Sequence, residues 1–238
     1  MAGRGFLNEA AEIDTKNILV LRNGRWVRMF RPVNPDRSFS GVCLAESFAE
    51  AYAAKYGVEV GLIPCADGGT SLDQWKEGSL LYDNAVYQAR LASRTSTIAG
   101  VLWHQGEADC PPFLHTTYRA RFELMMAAMR RDLDLDDVPF LLGGLGDFLV
   151  NCPLDAKLLH SPRINEALRE IADNNDLVSF VSAEGLTSNP DLLHFSASAL
   201  HEFGLRYFEA YEKVRDPNKI FSNKPSVNDA QRTAMELL

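Results

Sequence analysis

From about Gly41 onward, stretches with apolar residues at helical spacing alternate with short, nearly continuous apolar runs. That order predicts an α/β fold on a mainly parallel sheet, because unbroken apolar strands belong where helices cover both faces. The runs predict strands over 58–64, 98–103, 138–142 and 177–181, with helices over 44–56, 80–93, 116–133, 164–174 and 197–214. In the third helix Tyr118, Phe122, Met125, Met126 and Met129 form one apolar stripe, read as core packing rather than a cofactor box. Ahead of the alternation, residues 18–27 hold two short apolar runs joined by Asn23-Gly24, a hairpin signal because both positions of a type I′ turn need positive φ. The last stretch, 215–238, is polar until Met235-Glu236-Leu237-Leu238 and reads as a tail or a surface helix. One domain over 1–214 is therefore expected, without repeats or an internal linker.

Composition narrows the partners. Of 238 residues 46% are hydrophobic, enough for a sizeable core, and 24 basic against 32 acidic residues leave a formal charge of -8. A chain of that sign repels phosphate backbones and anionic bilayers, so no nucleic acid and no membrane is expected as a partner. No apolar run approaches the ~20 residues of a spanning helix, and the first fifteen residues lack the order of a signal peptide. As written, the chain reads as cytoplasmic; a leader lost together with further amino-terminal sequence would change that. Cys43, Cys65, Cys110 and Cys152 are irregularly spaced, form no C-x-x-C pair, and read as reduced packing residues.

Ligands of parallel α/β sheets sit outside the carboxyl ends of the strands, and the loops there carry unusual residues. After the first predicted parallel strand comes Asp67-Gly68-Gly69-Thr70-Ser71, whose glycines allow close backbone approach and can aim amide hydrogens at a developing negative charge, or simply make a turn. After the second comes Trp103-His104-Gln105-Gly106-Glu107-Ala108-Asp109, with one side-chain amide and two carboxylates. Beyond the fourth lies Asp191-Leu192-Leu193-His194, where a tight turn lets the carboxylate hold Nδ1 and leave Nε2 free as a base. Ser196 is a plausible N-cap that would fix His194 at the rim. A metal on His104, Glu107 and Asp109 fits no common spacing, and Gly143-Gly144-Leu145-Gly146 lacks the last glycine of a dinucleotide loop, so neither a metal nor a cofactor is expected.

Taken together, Gly68-Gly69-Thr70-Ser71 with Trp75, Gly100 through Asp109, and Asp191 through Ser196 with Gly204 and Tyr207 resemble the SGNH-type esterases of the sialate O-acetylesterase and acetylxylan esterase kind. The resemblance runs from Met1 to about Tyr211, and its most specific block is W-x-Q-G-E-x-D. It implies a flavodoxin-like, three-layer fold with a parallel sheet, and serine-dependent hydrolysis of acetyl esters on sugars. By the same resemblance His194 and Asp191 are the catalytic base and its orienting residue, and Gly69 and Gln105 supply the oxyanion hole. Glu107, Gly68 and Thr70 support the site, while Trp103 and Trp75 are placed to stack on an acetylated carbohydrate.

One part of the pattern is absent. The family's serine lies in a Gly-Gln-Ser-Asn motif that runs on into Met-Ala-Gly-Arg-Gly, the residues with which this chain begins. The strand leading to that serine belongs inside the sheet, between the runs at Val58 and Ile98, so its loss implies two unpaired interior edges and a groove through the core. The expectation is a sequence begun at an internal methionine. The alternative is a shortened, noncatalytic relative that binds carbohydrate without hydrolysing it. Ser71 and Ser196, the nearest other hydroxyls in sequence, read as turn and capping residues.

Overall fold

The computed structural model describes residues 2–215, so the reading of 216–238 as a tail or helix lies outside the described residues. A hairpin opens the regular structure: β1 (Ile18–Arg22) and β2 (Arg25–Arg28) pair antiparallel across Asn23 and Gly24, whose φ of 48° and 76° are those of the predicted type I′ turn. Alternation follows as predicted. It runs α1 (Ala45–Tyr56), β3 (Val60–Leu62), α2 (Leu80–Ala92), β4 (Val101–Trp103), the short α3 (Pro112–His115), α4 (Tyr118–Leu133), β5 (Phe140–Gly143), α5 (Ser161–Asp173), β6 (Val178–Val181) and α6 (Ala197–Val214).

Three layers result. Phe140 and Leu142 of β5 point into a core shared with α4, α5 and both Trp75 and Trp103, while Leu141 between them points into the core formed by α1 and α6. All three are 0% exposed, which accounts for an unbroken apolar strand. On the second face α1 and α6 cross at Gly204, where an added Cβ would lie 2.2 Å from the Leu44 carbonyl oxygen and 2.1 Å from Ser47 Oγ. Ser47 Oγ donates to the His201 carbonyl there at 2.7 Å.

The strands form two separate sheets, β2-β1-β3 and β4-β5-β6. β1 runs parallel to β3, with Ile18 opposite Val60 and Val20 opposite Leu62. The hairpin thus extends the parallel sheet, a pairing its own pattern does not show. β3 and β4 do not pair, yet their carboxyl ends meet: Gln105 Nε2 donates to the Thr70 carbonyl and the Leu72 N–H to Asp109 Oδ2, each at 2.9 Å. The facing edges border a cleft of about 1600 Å³ lined on one side by Val60, Gly61 and Leu62 and on the other by Gly100, Val101 and Leu102. Val60 N–H donates to Asn17 and Val101 N–H to Pro139, so in a parallel ladder the intervening Gly61 and Leu102 turn their backbone groups to the cleft. This is the split that the absent strand implied. If only a quarter of such a volume were a sealed void, at ~24 cal/mol per Å³ it would cost ~10 kcal/mol, a whole domain's stability.

The described chain begins at this cleft. Ala2 lines it, Gly5 bridges to Val42, and the Arg4 carbonyl accepts a hydrogen bond from Asn189 Nδ2 at 2.9 Å. Among the described residues no helix is long and apolar enough to cross a membrane.

Candidate active site

Three loops at the carboxyl ends of β3, β4 and β6 surround the end of the cleft, and each is braced differently. In the loop after β6, Leu192 takes the left-handed conformation (φ 52°), which folds Asp191 back on His194. Asp191 Oδ2 lies 2.7 Å from His194 Nδ1, while Oδ1 accepts the backbone N–H groups of Leu193 and His194 at 2.9 and 3.0 Å. Burial pushes the Asp191 carboxyl up, but the hydrogen bonds from the His194 backbone, the His194 ring and the Leu193 backbone outweigh it and hold the group below its ordinary range. Asp191 is thus an anion that orients Nδ1, and His194 lines the cleft with Nε2 unengaged by the described residues. Ser196 caps α6 through Ala199 N–H, as its position predicts.

The loop after β3 separates its two glycines. Gly69 needs its glycine for conformation, with φ 80° and open space around the position of a Cβ. Gly68 needs it for room, since a Cβ would meet Arg4 Nη2 at 2.4 Å and Asp36 Oδ2 at 3.1 Å. The Gly68 N–H is already given to Asp36 Oδ2 at 2.9 Å, which leaves the Gly69 N–H as the unengaged donor. Asp36 in turn accepts both Arg4 amino groups, at 2.7 and 3.0 Å, and the Ser40 hydroxyl at 2.9 Å. Burial opposes the Asp36 charge, but the bonds from Arg4, Gly68 and Ser40 overcome it and draw the carboxyl well below the usual range. Thr70 supports the loop with Oγ1, donating to Asp67 O at 2.7 Å and accepting from Trp75 Nε1 at 3.0 Å.

The loop after β4 departs from the sequence reading in two ways. Both hydrogens of the Gln105 amide are engaged, one with Thr70 O at 2.9 Å and one with Asp109 Oδ2 at 2.7 Å, so as placed Gln105 ties two loops together and offers no hydrogen to an oxyanion. Its carbonyl groups face Tyr118, whose hydroxyl lies 2.9 Å from the backbone oxygen and 3.3 Å from Oε1. The polar network of this loop is centred on Asp109 and not on Glu107, the residue expected to support the site. Glu107 lines the cleft without a side-chain hydrogen bond to a described residue, whereas Asp109 is 0% exposed and accepts from Leu72 N–H, Gln105 and Arg121.

Trp75 and Trp103 are more deeply buried than a part in stacking on a sugar calls for. They are 6% and 7% exposed and pack edge to face with centroids 5.4 Å apart. Both border the cleft, but they expose little surface to it. His104 sits between Phe195 and Phe203, and burial lowers its pKa far enough to keep it neutral. Ser71 and Ser196 keep the turn and capping parts expected of them, Ser71 closing a capping box with Gln74. Among the described residues no group of three or more His, Cys, Asp or Glu side chains is arranged to hold a metal, and the four cysteines are unpaired thiols. Arg4, Asp36, Arg37 and Asn189 are the site residues that sequence reasoning misses, because nothing in the sequence relates positions 4, 36, 37 and 189 to the loops of the site.

Comparison with known proteins bears on the fold and the family. The chain is 28% identical over 195 residues to a probable carbohydrate esterase of Arabidopsis thaliana, covering 79% of this chain and 71% of the relative. The crystal structure of an Arabidopsis protein superposes with a TM-score of 0.78 at 27% identity, covering 89% of this chain and 93% of that one. At 17% identity the fold is shared with NanS (TM-score 0.64, covering 82% of this chain and 87% of that one) and with a carbohydrate acetylesterase from Xanthomonas citri (TM-score 0.60, covering 83% and 48%). The family model for carbohydrate esterases described as sialic acid-specific acetylesterases matches residues 1–213, and with the Asp191–His194 pair set at the strand ends of an SGNH-type fold, the chain belongs to that family of carbohydrate esterases.

Proposed function

We propose that this site hydrolyses acetyl esters on carbohydrates by acyl transfer, with His194 as general base and acid, Asp191 holding its tautomer, and the Gly69 N–H facing the oxyanion. The observation that carries the reading is the Asp191 Oδ2 to His194 Nδ1 contact of 2.7 Å together with the unengaged Gly69 N–H, on residues that line one cleft. In the first half-reaction a hydroxyl nucleophile gives its proton to Nε2, adds to the acetyl carbonyl, and the proton passes to the departing sugar oxygen. Water then repeats the sequence on the acyl-enzyme and releases acetate. By the family resemblance the nucleophile is expected on a strand between β3 and β4, the two strands that border the cleft without pairing. Gln105 joins the oxyanion hole only by giving up its bond to Thr70 O or to Asp109 Oδ2. No metal or organic cofactor takes part in this scheme.

A noncatalytic carbohydrate-binding role has one observation in its favour: no described hydroxyl is hydrogen-bonded to His194 Nε2. Fluorophosphonate labelling of the protein from its natural source separates the readings, followed by release of acetate from O-acetylated sialic acid and from acetylated xylo-oligosaccharides. Labelling and acetate release that vanish in His194→Ala are expected. Sugar binding with neither labelling nor release would replace the esterase reading by the binding one.

A further inference from the structure

Arg37 stands beside the oxyanion loop and belongs to none of the motifs read from the sequence. Its Nη2 donates to the Gly68 carbonyl oxygen at 3.1 Å and lies 2.7 Å from Asp67 Oδ1, while Nη1 donates to the Asp36 carbonyl at 2.8 Å. The guanidinium is therefore held by two hydrogen bonds and one ion pair although its side chain remains 43% exposed. The Gly68 carbonyl and the Gly69 N–H are the two ends of one planar, trans peptide group, so they point in opposite directions. A donor that fixes the carbonyl on one side fixes the N–H on the other, at a residue that lines the cleft. The preceding peptide is held as well, because Asp36 takes the Gly68 N–H at 2.9 Å.

We propose that Arg37 is a positioning residue for the oxyanion-binding peptide, aiming and polarising the Gly69 N–H through the Gly68 carbonyl. A cation at the carbonyl oxygen draws electron density along the amide and makes its hydrogen a stronger donor, most of all toward an oxygen that becomes an anion in the transition state. Asp36 and Arg4 act behind it. Arg4 is tied through its carbonyl to Asn189 Nδ2, and Asn189 N–H donates to the His194 carbonyl at 2.7 Å. One continuous set of hydrogen bonds thus joins the loop of the base to the loop of the oxyanion donor. The proposal rests on the acyl-transfer reading for its purpose, but its geometry can be tested without turnover.

The test compares the 238-residue chain with Arg37→Gln and Arg37→Lys. Exchange of an open amide with water is hydroxide-catalysed and follows the acidity of the N–H. Polarisation by Arg37 predicts that Arg37→Gln slows exchange of the Gly69 amide by about threefold to tenfold, measured by NMR saturation transfer, with Arg37→Lys between the two. The Gly68 amide, bonded to Asp36, keeps its protection. An unchanged Gly69 rate, or faster exchange at Gly68, Gly69 and Thr70 together, would overturn the proposal and leave Arg37 as a brace of loop shape. In protein with esterase activity the same Arg37→Gln change is expected to lower kcat about tenfold with KM unchanged, because the contact strengthens only in the transition state. A rise in KM at constant kcat counts against it. Absence of hydrolysis in the parent protein defeats the acyl-transfer reading alone, since the amide exchange rates still decide the place of Arg37.

Discussion

Asp109→Asn isolates the carboxylate that ties the loops after β3 and β4 to α4. The wild-type side chain is 0% exposed and accepts on both oxygens: Oδ2 from Leu72 N–H at 2.9 Å and Gln105 Nε2 at 2.7 Å, Oδ1 from Arg121 Nη2 at 2.7 Å. Asparagine keeps the shape but has one oxygen. Its amide nitrogen must then face either the guanidinium or the two N–H donors, so at least one buried contact becomes donor against donor. Removing one partner of a buried ion pair costs ~3–5 kcal/mol, against a total stability of ~5–15 kcal/mol. At ~2–4 °C per kcal/mol for a domain of this size, the melting temperature should fall by ~6–20 °C. The assay is thermal and urea unfolding followed by far-ultraviolet circular dichroism, with Glu107→Gln as the reference. Glu107 makes no side-chain hydrogen bond to a described residue, so its variant should stay within ~0.5 kcal/mol of wild type. Equal effects of the two substitutions, or an Asp109→Asn loss under 1 kcal/mol, would refute the assignment of the network to Asp109.

The other expectations concern the glycine loop, its carboxylate and the cleft. Gly69→Ala should cost ~1–2 kcal/mol through its positive φ alone, and Gly68→Ala more, because its Cβ displaces the buried Arg4–Asp36 pair; urea titrations giving the reverse order would count against this packing. The depressed Asp36 pKa contributes stability that is present above the unfolded carboxylate value of ~3.9 and is lost as pH falls through the lower folded value. Stability of Asp36→Asn should accordingly fall less steeply on acidification below pH ~4, and an unaltered slope would remove Asp36 from the acid response. If a parallel strand occupies the cleft in the protein from its natural source, hydrogen exchange there should show slow Gly61 and Leu102 amides and mass spectrometry should find peptides upstream of Met1. Fast exchange at both amides would mean that the cleft holds no strand.

Local chemistry determined much of this protein before any contact was known. Apolar runs and helical stripes sufficed to place β3 to β6 and the long helices to within a few residues, and Asn23-Gly24 sufficed for the hairpin. The D-x-x-H turn was equally legible, because three bonds of Asp191 close within four consecutive residues. What lies far apart in the chain only the tertiary structure decided. The partner of β1, the burial of Trp75 against Trp103, and the exchange of Glu107 for Asp109 as centre of the polar network all depend on which surfaces meet. The Gln105 amide shows why: its residue type suits an oxyanion hole, but two acceptors from other loops reach it first. Arg4, Asp36, Arg37 and Asn189 were invisible for the same reason, since hydrogen bonds are specified by distance and direction in space, and separation along the chain carries no information about either.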